Sequence, residues 1–397
     1  MLDLILTAVA LGGIAAVLYS YAFYPVVLFV VAAFSQAARD VSFVFRKIDR
    51  RKSARSGELP TVAIVISAFN EERHITQRIE NILALDYPPE RLRAYIGSDG
   101  SRDRTAELMA RFEDARIQAF PFVQNRGKAS VLNDLVSRTS EALLVFSDAN
   151  TFFQPDALKK LVACFQDERV GGATGELRLM GSGGDNQDSL YWRIEQFLKF
   201  FESRIGGLLG ANGAIYAIRR ELWKPLAPDT ICDDFCVAMN VAAAGRRVIY
   251  EPRAWAEEDT PERIGEEYRR RVRIGIGNFQ ALLRHPEYLL RTSPATAFAY
   301  VSHKVLRWIA PHLLLLSLAA SAWLGLESPA WAGFALAQLL SYLAAAAALG
   351  LTNRGRRLPK LLKLVAFLYA LNWAFLVASF KYVTRRYSGG AWGRSSR

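Results

Sequence analysis

The sequence predicts an α/β fold, in which a doubly wound, mostly parallel sheet is attached to one N-terminal and about three C-terminal transmembrane helices. Two observations lead to this prediction. Through the middle of the chain, short runs of apolar and β-branched residues alternate with helical patterns, which is typical of a parallel sheet covered by helices. Outside that region lie four long apolar runs, one near the amino terminus and three near the carboxyl terminus.

The first apolar run has no charged residue from Leu4 to Ala38. It is longer than a signal-peptide core and no small-residue cleavage site follows it, so it predicts a transmembrane helix. The three later candidates are Trp308–Leu326, Ser328–Asn353 and Leu364–Phe380. A buried helix of a soluble domain is the alternative for any one run, but four runs in one chain favour a membrane protein.

The chain carries a net charge of +12, a balance that suits nucleic acid, a membrane surface or anionic substrates. Its basic residues cluster beside the apolar runs, which favours the lipid bilayer over nucleic acid as a partner. The stretch Arg46–Arg55 follows the first span, so the positive-inside rule places the middle region in the cytoplasm, with the bacterial inner membrane as the expected location. The loop Arg354–Lys360 agrees with this topology, whereas the basic tail disagrees and leaves its own side open.

These patterns divide the chain into six predicted segments. They are an N-terminal transmembrane helix (1–38), a basic linker (39–57), a cytoplasmic α/β domain (58–260), amphipathic or interfacial helices (261–305), C-terminal transmembrane segments (306–383) and a basic tail (384–397).

Polar clusters follow the predicted strands of the middle region. The four strands expected first are Thr61–Ser67, Leu92–Ser98, Ile117–Phe120 and Ala142–Val145. Asn70 and Glu71 come after the first strand, Asp99 ends the second, and Asp148 follows the fourth. Because ligands bind at the carboxyl ends of the strands in open α/β sheets, these side chains are expected to gather there.

The segment Asn125-Arg126-Gly127-Lys128 opens a predicted helix, Ala129–Ser137, and places two cations near a helix amino terminus, which suits a phosphate. Each polar cluster alone is also what an ordinary turn or helix cap uses. Together they predict a nucleotide site with a metal ion. The chain has no Gly-x-Gly-x-x-Gly or Gly-Lys-Ser/Thr loop, which argues against a dinucleotide enzyme or a phosphate-loop ATPase.

Seven motifs, in this order and spacing, resemble the family 2 glycosyltransferases of the GT-A fold. Four of them are the clusters just described, at 68–71, 99–105, 125–128 and 148–150. The other three are Gly210–Ala214, Cys232-Asp233-Asp234 where the family has Thr-Glu-Asp, and Arg270–Ile274 where membrane synthases have Gln-x-x-Arg-Trp or Gln-Arg-x-Arg-Trp. The resemblance covers roughly residues 61–278. The flanking membrane segments match the branch that contains cellulose, chitin, hyaluronan and poly-N-acetylglucosamine synthases.

The resemblance implies an inverting transfer of a sugar from a nucleoside diphosphate donor, most simply a UDP-sugar, to an oligosaccharide or polysaccharide acceptor. Asp234 would be the general base that takes the proton of the acceptor hydroxyl. Asp148 and Asn150 would hold Mg²⁺ or Mn²⁺ on the diphosphate. Arg271 and Arg273 would clamp the departing diphosphate.

The remaining implied contacts divide between the two substrates. Those with the nucleotide belong to Asn70, Glu71, Asp99 and Lys128, and those on the acceptor side to Asn212, Gly213 and Trp192. Trp192 is also well explained as a core residue. The arginines are equally typical of an amphipathic interfacial helix, Pro261–Leu283, that faces lipid headgroups, and both roles are compatible. A carboxylate of the Cys232-Asp233-Asp234 motif could also cap the helix that follows, a role that Asp233 could fill while Asp234 faces the site.

Two departures from the family pattern bear on function. Asn150 stands where a second aspartate is common, so the sequence predicts that Asn150→Asp is tolerated or improves metal affinity. Ile274 stands where polymer synthases have a tryptophan, and it cannot stack on a sugar, which places processive synthesis in doubt. The alternatives are the addition of one sugar to a lipid carrier or glycolipid, and a catalytically silent membrane scaffold. The acidic residues Asp99, Asp148 and Asp234 argue against the scaffold.

Overall fold

The computed structural model describes residues 1–46, 58–180, 190–259, 264–354, 356 and 358–387. Most of the predicted basic linker (39–57) and most of the basic tail (384–397) lie outside these ranges. The helix of the first span continues to Arg46, into the predicted linker.

An eight-stranded mixed sheet forms the middle of the chain, with the order β3-β2-β1-β4-β7-β6-β8-β5. Its strands are β1 (Val62–Ala68), β2 (Leu92–Asp99), β3 (Ile117–Phe122), β4 (Leu143–Asp148), β5 (Thr151–Phe153), β6 (Val170–Met180), β7 (Tyr216–Arg219) and β8 (Arg247–Asp259). Strands β3, β2, β1 and β4 are parallel neighbours, and β7 runs antiparallel between β4 and β6. Strand β8 is parallel to β6 and antiparallel to β5. The predicted α/β class with a mostly parallel sheet is confirmed. The strand order reverses between β1 and β4, which is where open α/β sheets bind ligands.

The central strand β1 explains why the sheet is covered on both faces. Val62, Ile64 and Ile66 belong to one apolar cluster, whereas Ala63 and Val65 belong to a second cluster on the opposite face. Alternate residues of a strand point to opposite faces, so a strand that is apolar at every position needs cover on both sides. Helices supply that cover, and every residue of β1 is buried.

Fourteen α-helices occur in the described residues. Those of the α/β domain and its approach to the membrane are α3 (Ile75–Leu83), α4 (Thr105–Ala110), α5 (Lys128–Ser137), α6 (Ala157–Ala163), α7 (Leu190–Ile205), α8 (Asp233–Ala243), α9 (Ile264–Arg284), α10 (Glu287–Leu290) and α11 (Pro294–Ala299). The others are α1 (Leu2–Leu18), α2 (Tyr24–Arg46), α12 (Leu306–Leu324), α13 (Pro329–Asn353) and α14 (Lys360–Val383).

Four helical segments of the described chain are long and apolar enough to cross a membrane, which confirms the predicted one N-terminal and three C-terminal helices. They are Leu2–Ser42, Pro294–Leu324, Pro329–Thr352 and Leu362–Val383. The second begins earlier than the predicted Trp308, because α11, a π-helical turn and α12 form one continuous helix. The polar and basic residues His303, Lys304 and Arg307 interrupt the apolar pattern at this start, which is why the sequence prediction began only at Trp308.

Buried polar contacts attach the α/β domain to the membrane helices through α7. The Tyr24 hydroxyl on α2 donates to Glu202 Oε1 at 2.9 Å, and His303 Nδ1 lies 2.7 Å from the same oxygen. Arg307 of α12 donates from Nη1 to Glu195 Oε1 at 2.5 Å. Glu202 and His303 are almost fully buried, and removal of one partner from such a contact leaves the other unpaired away from water.

We therefore expect Glu202→Ala to lower the free energy of unfolding by about 1–3 kcal/mol, because Tyr24 and His303 lose their common acceptor. Thermal unfolding of the full-length protein in detergent measures this loss. Glu107→Ala is the matched control, since Glu107 forms an exposed ion pair with Arg111 on α4, and such pairs contribute at most about 1 kcal/mol. Equal melting temperatures for the two variants would contradict the structural role of Glu202.

Candidate active site

The loops after β1 and β2 are joined at the carboxyl edge of the sheet. Asn70 has a left-handed backbone with φ of 56°, which asparagine tolerates better than most residues. Its Oδ1 accepts a hydrogen bond from the N–H of Arg102 at 2.9 Å, and its own N–H donates to Ser101 Oγ at 3.1 Å. Asn70 thus holds the two loops in one arrangement.

Glu71 lies beside Asn70 and is buried. Its N–H donates to Thr105 Oγ1 at 2.8 Å, which ties the first loop to the start of α4. Its Oε2 lies 3.1 Å from Nδ1 of His74, the residue that precedes α3. Glu71 therefore sits where both loops turn into helices.

Asp99 holds the loop that leads into α5. Its side chain is fully buried. Oδ1 accepts the N–H of Arg126 at 2.8 Å, and Oδ2 accepts the N–H of Gly127 at 2.9 Å. Gly127 has φ of 87°, a conformation that glycine adopts without strain. The described contacts of Asp99 are thus with the chain's own backbone, and they determine where the next residue, Lys128, is placed.

Lys128 joins the end of β4 to the start of α8. Its Nζ lies 2.9 Å from Asp148 Oδ1 and 3.2 Å from Asp233 Oδ2. Burial alone would lower the pKa of Lys128, but the negative charges of Asp148 and Asp233 outweigh it and raise the pKa, so the ammonium stays charged. One cation therefore balances carboxylates that come from distant segments of the chain.

Asp234 lies in the first turn of α8, next to Asp233. Its Oδ1 accepts the N–H of Phe235 at 2.7 Å. Burial and the neighbouring charge of Asp233 raise the pKa of Asp234 to about 6. A carboxylate with a pKa in this range can accept a proton near neutral pH. The N-cap residue of α8 is Cys232, with no side-chain cap hydrogen bond. Asp233 therefore does not take the capping role that the sequence allowed it, and it pairs with Lys128 instead.

The predicted acceptor-side turn lies against Asp234. A Cβ atom added to Gly213 would be 3.2 Å from Asp234 Oδ2, so glycine permits this close approach. The N–H of Asn212 donates to Thr174 Oγ1 at 2.9 Å, and its Oδ1 accepts the N–H of Ala214 at 3.3 Å. The structure thus brings the Asn212-Gly213 turn together with Asp234.

The membrane segment Pro294–Leu324 packs against the start of α8, next to Asp234. The ring of Phe235 lies 5.9 Å, centroid to centroid, from those of both Tyr300 and Trp308. The adjacent Cys232 is in close contact with α9, since a Cβ on Gly277 would lie 2.5 Å from its sulfur. Asp234 therefore lies at the junction between the sheet and the membrane helices.

The two arginines of α9 that were predicted to clamp the diphosphate, Arg271 and Arg273, lie in different environments. The Arg271 guanidinium stacks over the ring of Phe367 in α14, at 4.6 Å from the ring centre. Arg273 is exposed, and the carbonyl oxygen of the next residue, Ile274, lies 3.6 Å from Sγ of Cys232. Trp192 belongs to α7, but its side chain lies outside the described part of the structure.

The segment between β4 and β5 carries the predicted metal ligands. Asp148 is about one-third exposed at the end of β4. Asn150 is buried, and its Nδ2 donates to Glu258 Oε1 on β8 at 2.9 Å. Carboxylate and amide oxygens are the ligands that Mg²⁺ and Mn²⁺ prefer, so the donor set fits a divalent cation. No cluster of three or more His, Cys, Asp or Glu side chains suited to a metal occurs in the described residues.

A buried arginine of α3 holds the turn from β4 to β5 in place. Arg78 of α3 is fully buried, and it donates from Nη2 to Ser147 Oγ at 3.0 Å and from Nη1 to Asn81 Oδ1 at 2.7 Å. Asn81 in turn exchanges two hydrogen bonds of 2.8 Å with the backbone of Phe153. Both ends of the turn from β4 to β5 are therefore held by α3.

Three residues of the site were missed by the sequence analysis, in which Arg78 and Glu258 had no role and Asp233 had a different one. A signal existed for Arg78, since it shares one helix face with Ile75, Ile79 and Ile82 and interrupts an otherwise apolar pattern. No local pattern points to the Glu258–Asn150 or Asp233–Lys128 contacts, because the partners are far apart in the chain.

Residues 60–277 match the family model described as glycosyltransferase-like family 2. The chain is 25% identical over 308 residues to the poly-beta-1,6-N-acetyl-D-glucosamine synthase of Staphylococcus aureus (strain COL), an alignment that covers 75% of this chain and 74% of that protein. It is 26% identical over 260 residues to the synthase of the same name from Staphylococcus epidermidis, with 62% of each chain covered.

Among solved structures, the mannosyltransferase PcManGT from Pyrobaculum calidifontis, in complex with GDP-Man and Mn²⁺, has a TM-score of 0.68 to this chain. The match covers 98% of this chain and 100% of that one, at 19% sequence identity. At this identity the likeness shows a shared GT-A fold, and it extends over the membrane helices as well as the sheet.

Proposed function

Because the chain belongs to the glycosyltransferase-like family 2, we propose that it is an inverting membrane enzyme that moves a sugar from a nucleoside diphosphate donor to a polysaccharide or oligosaccharide acceptor. The observation that carries this proposal is the meeting of Lys128, Asp148 and Asp233 at the carboxyl edge of the sheet, next to Asp234. Of the donors, we propose a UDP-sugar first.

The nucleoside end of the donor is proposed to lie against the loops that follow β1 and β2. Asn70 and Glu71 belong to the first of these loops and would bind the base and ribose. Asp99 would act indirectly, because its carboxylate accepts hydrogen bonds from the backbone of Arg126 and Gly127. It would thereby direct Lys128 toward the donor.

A divalent cation, Mg²⁺ or Mn²⁺, is proposed at Asp148 and Asn150. Two protein oxygens suffice because Mg²⁺ at such sites takes its other ligands from substrate phosphates and water. When bound, the cation would neutralise the charge that develops on the leaving diphosphate. The presence of Mn²⁺ in the PcManGT complex supports this assignment.

Asp234 is proposed as the general base. Its carboxylate would take the proton of the acceptor hydroxyl as that oxygen attacks the anomeric carbon from the side opposite the diphosphate, which inverts the configuration. Arg273 is the cation proposed for the diphosphate, since it is exposed and the next residue, Ile274, contacts Cys232. The contact of Arg271 with Phe367 favours a role in holding α9 against α14.

One observation favours a second acceptor class, a lipid carrier or glycolipid that receives a single sugar. Ile274 is exposed and cannot stack on a saccharide, and Phe235, adjacent to the base, packs on a membrane segment. Trp192 remains a proposed aromatic contact for a saccharide. Incubating the purified protein in lipid with UDP- and GDP-sugars tests the proposal, because consumption of a donor identifies the sugar and the product distinguishes a polymer from a lipid-linked monosaccharide.

The catalytic domain is proposed to face the cytoplasm, where nucleotide sugars are made, in a bacterial inner membrane. The basic stretch Arg46–Arg55 supports this orientation. A reporter fused after Gly57 tests it, and activity of that reporter only in the periplasm would overturn the assignment.

We expect Asp148→Ala to abolish donor turnover, because the proposed metal site loses its charged ligand. Excess chelator should abolish turnover by the wild-type protein, and added Mn²⁺ or Mg²⁺ should restore it. Donor consumption and UDP release measure both effects. Full activity of the wild-type protein in chelator would contradict the metal assignment.

Asp234→Asn should lower the transfer rate by roughly 10²–10⁴, the usual contribution of a general base. Expression, membrane insertion and UDP binding should be unchanged, since the amide has the same shape. Asp233→Asn is the matched neighbour and should have a milder effect, because Lys128 keeps its contact with Asp148. Transfer by Asp234→Asn at a rate near that of the wild type would exclude this residue as the base.

The pH dependence of transfer provides an independent test of Asp234. Because the base must be ionised and its pKa is raised to about 6, kcat/KM should fall as the pH drops below about 6 and level off above it. Asp233→Asn removes a negative charge that raises this pKa, so its falling limb should move to lower pH. An unchanged profile for Asp233→Asn would show that another group controls the rate.

A further inference from the structure

The hydrogen bond between Asn150 and Glu258 determines which atom of the Asn150 amide points away from Glu258. An ionised glutamate has no proton to donate, so only the NH₂ group of Asn150 can form this bond. The distance from Nδ2 to Glu258 Oε1 is 2.9 Å, which is a normal charge-assisted bond. The amide oxygen of Asn150 must then point away from Glu258.

The pairing of β5 with β8 places Glu258 next to Asn150. Thr151 of β5 is the register partner of Glu258, and Phe152 is that of Glu257. Glu258 therefore lies directly across from the residue that follows Asn150, and its carboxylate reaches the Asn150 side chain. Glu257 lies across from Phe152, one position further from Asn150. Asn150 is 7% exposed, so its amide is packed in place.

We infer that Glu258 is a positioning residue that holds the oxygen of Asn150 toward the cation site beside Asp148. The inference rests on the proposed function, because it assumes a divalent cation at Asp148 and Asn150. It explains how a neutral amide serves at a position where an aspartate is common in the family. A free amide could present its nitrogen, which does not ligate a metal, but an amide bonded to Glu258 presents its oxygen.

A glutamate that holds Asn150 reverses the effect expected from the sequence for Asn150→Asp. An added negative charge alone would strengthen cation binding by simple attraction. In this structure, however, the new carboxylate would stand at hydrogen-bond distance from that of Glu258 and be repelled by it. The ligand oxygen would lose the contact that holds it. Asn150→Asp should therefore weaken the cation site, and an exchange of the two groups should repair it.

The test measures Mn²⁺ binding to the full-length protein in detergent with saturating UDP, by the electron paramagnetic resonance signal of free Mn²⁺. We expect Asn150→Asp and Glu258→Ala each to raise the Mn²⁺ dissociation constant about tenfold or more. Glu258→Gln keeps an acceptor oxygen and should stay within about threefold of the wild type. The double variant Asn150→Asp with Glu258→Gln reverses the direction of the hydrogen bond and should also return to within about threefold.

Glu257→Ala is the matched control, since it removes the same charge from the neighbouring position of β8, and it should leave the dissociation constant unchanged. Melting temperatures of all variants separate loss of the site from loss of the fold. If Asn150→Asp binds Mn²⁺ as tightly as the wild type, or if Glu258→Gln fails to rescue it, Glu258 does not position Asn150. If the wild type itself binds no Mn²⁺, the proposed metal site fails, whatever the variants do.

Discussion

The site depends on one partly buried ammonium group, that of Lys128. Lys128 lies between Asp148 of β4 and Asp233 of α8, and without it these carboxylates and the neighbouring Asp234 would repel one another. An ammonium that is largely withdrawn from water is also unfavourable without a charged partner. Each side of this contact therefore requires the other, and the contact holds the carboxyl edge of the sheet and the start of α8 together.

The position of Lys128 is itself imposed by the fold. Asp99 ends β2 and uses both carboxylate oxygens to hold the backbone just before Lys128. On the other side, Arg78 holds Ser147, the residue before Asp148. The buried side chains of Asp99 and Arg78 thus hold the segments that carry Lys128 and Asp148. A substitution of Asp99 or Arg78 would therefore shift these two charged groups as well.

The membrane helices are held against the α/β domain by similar buried polar contacts. Glu202 of α7 is bonded to residues of two membrane segments, Tyr24 and His303. Phe235 packs on the start of α12 next to Asp234. The proposed base therefore lies at the junction between the sheet and the membrane segments. The two departures from the family pattern, Asn150 and Ile274, lie on the cation side and on the α9 side of this site.

The sequence by itself determined the fold class, the membrane helices and the edge of the sheet at which the polar clusters meet. These follow from local patterns, because apolar runs form strands or spans according to their length, and the carboxyl ends of parallel strands always share one edge. That geometry is why Asn70, Asp99 and Asp148 can be grouped from the order of strands and polar residues along the chain.

Only the tertiary structure decided which partner each polar side chain found. Asp233 and Asp234 are adjacent and chemically identical, and the packing of α8 against Lys128 distinguishes them. Asn150 and Glu258 are 108 residues apart, and they meet because β5 pairs with β8 at the far edge of the sheet. Contacts of this kind depend on which distant strands pair with each other, and the local spacing of residues does not reveal that pairing.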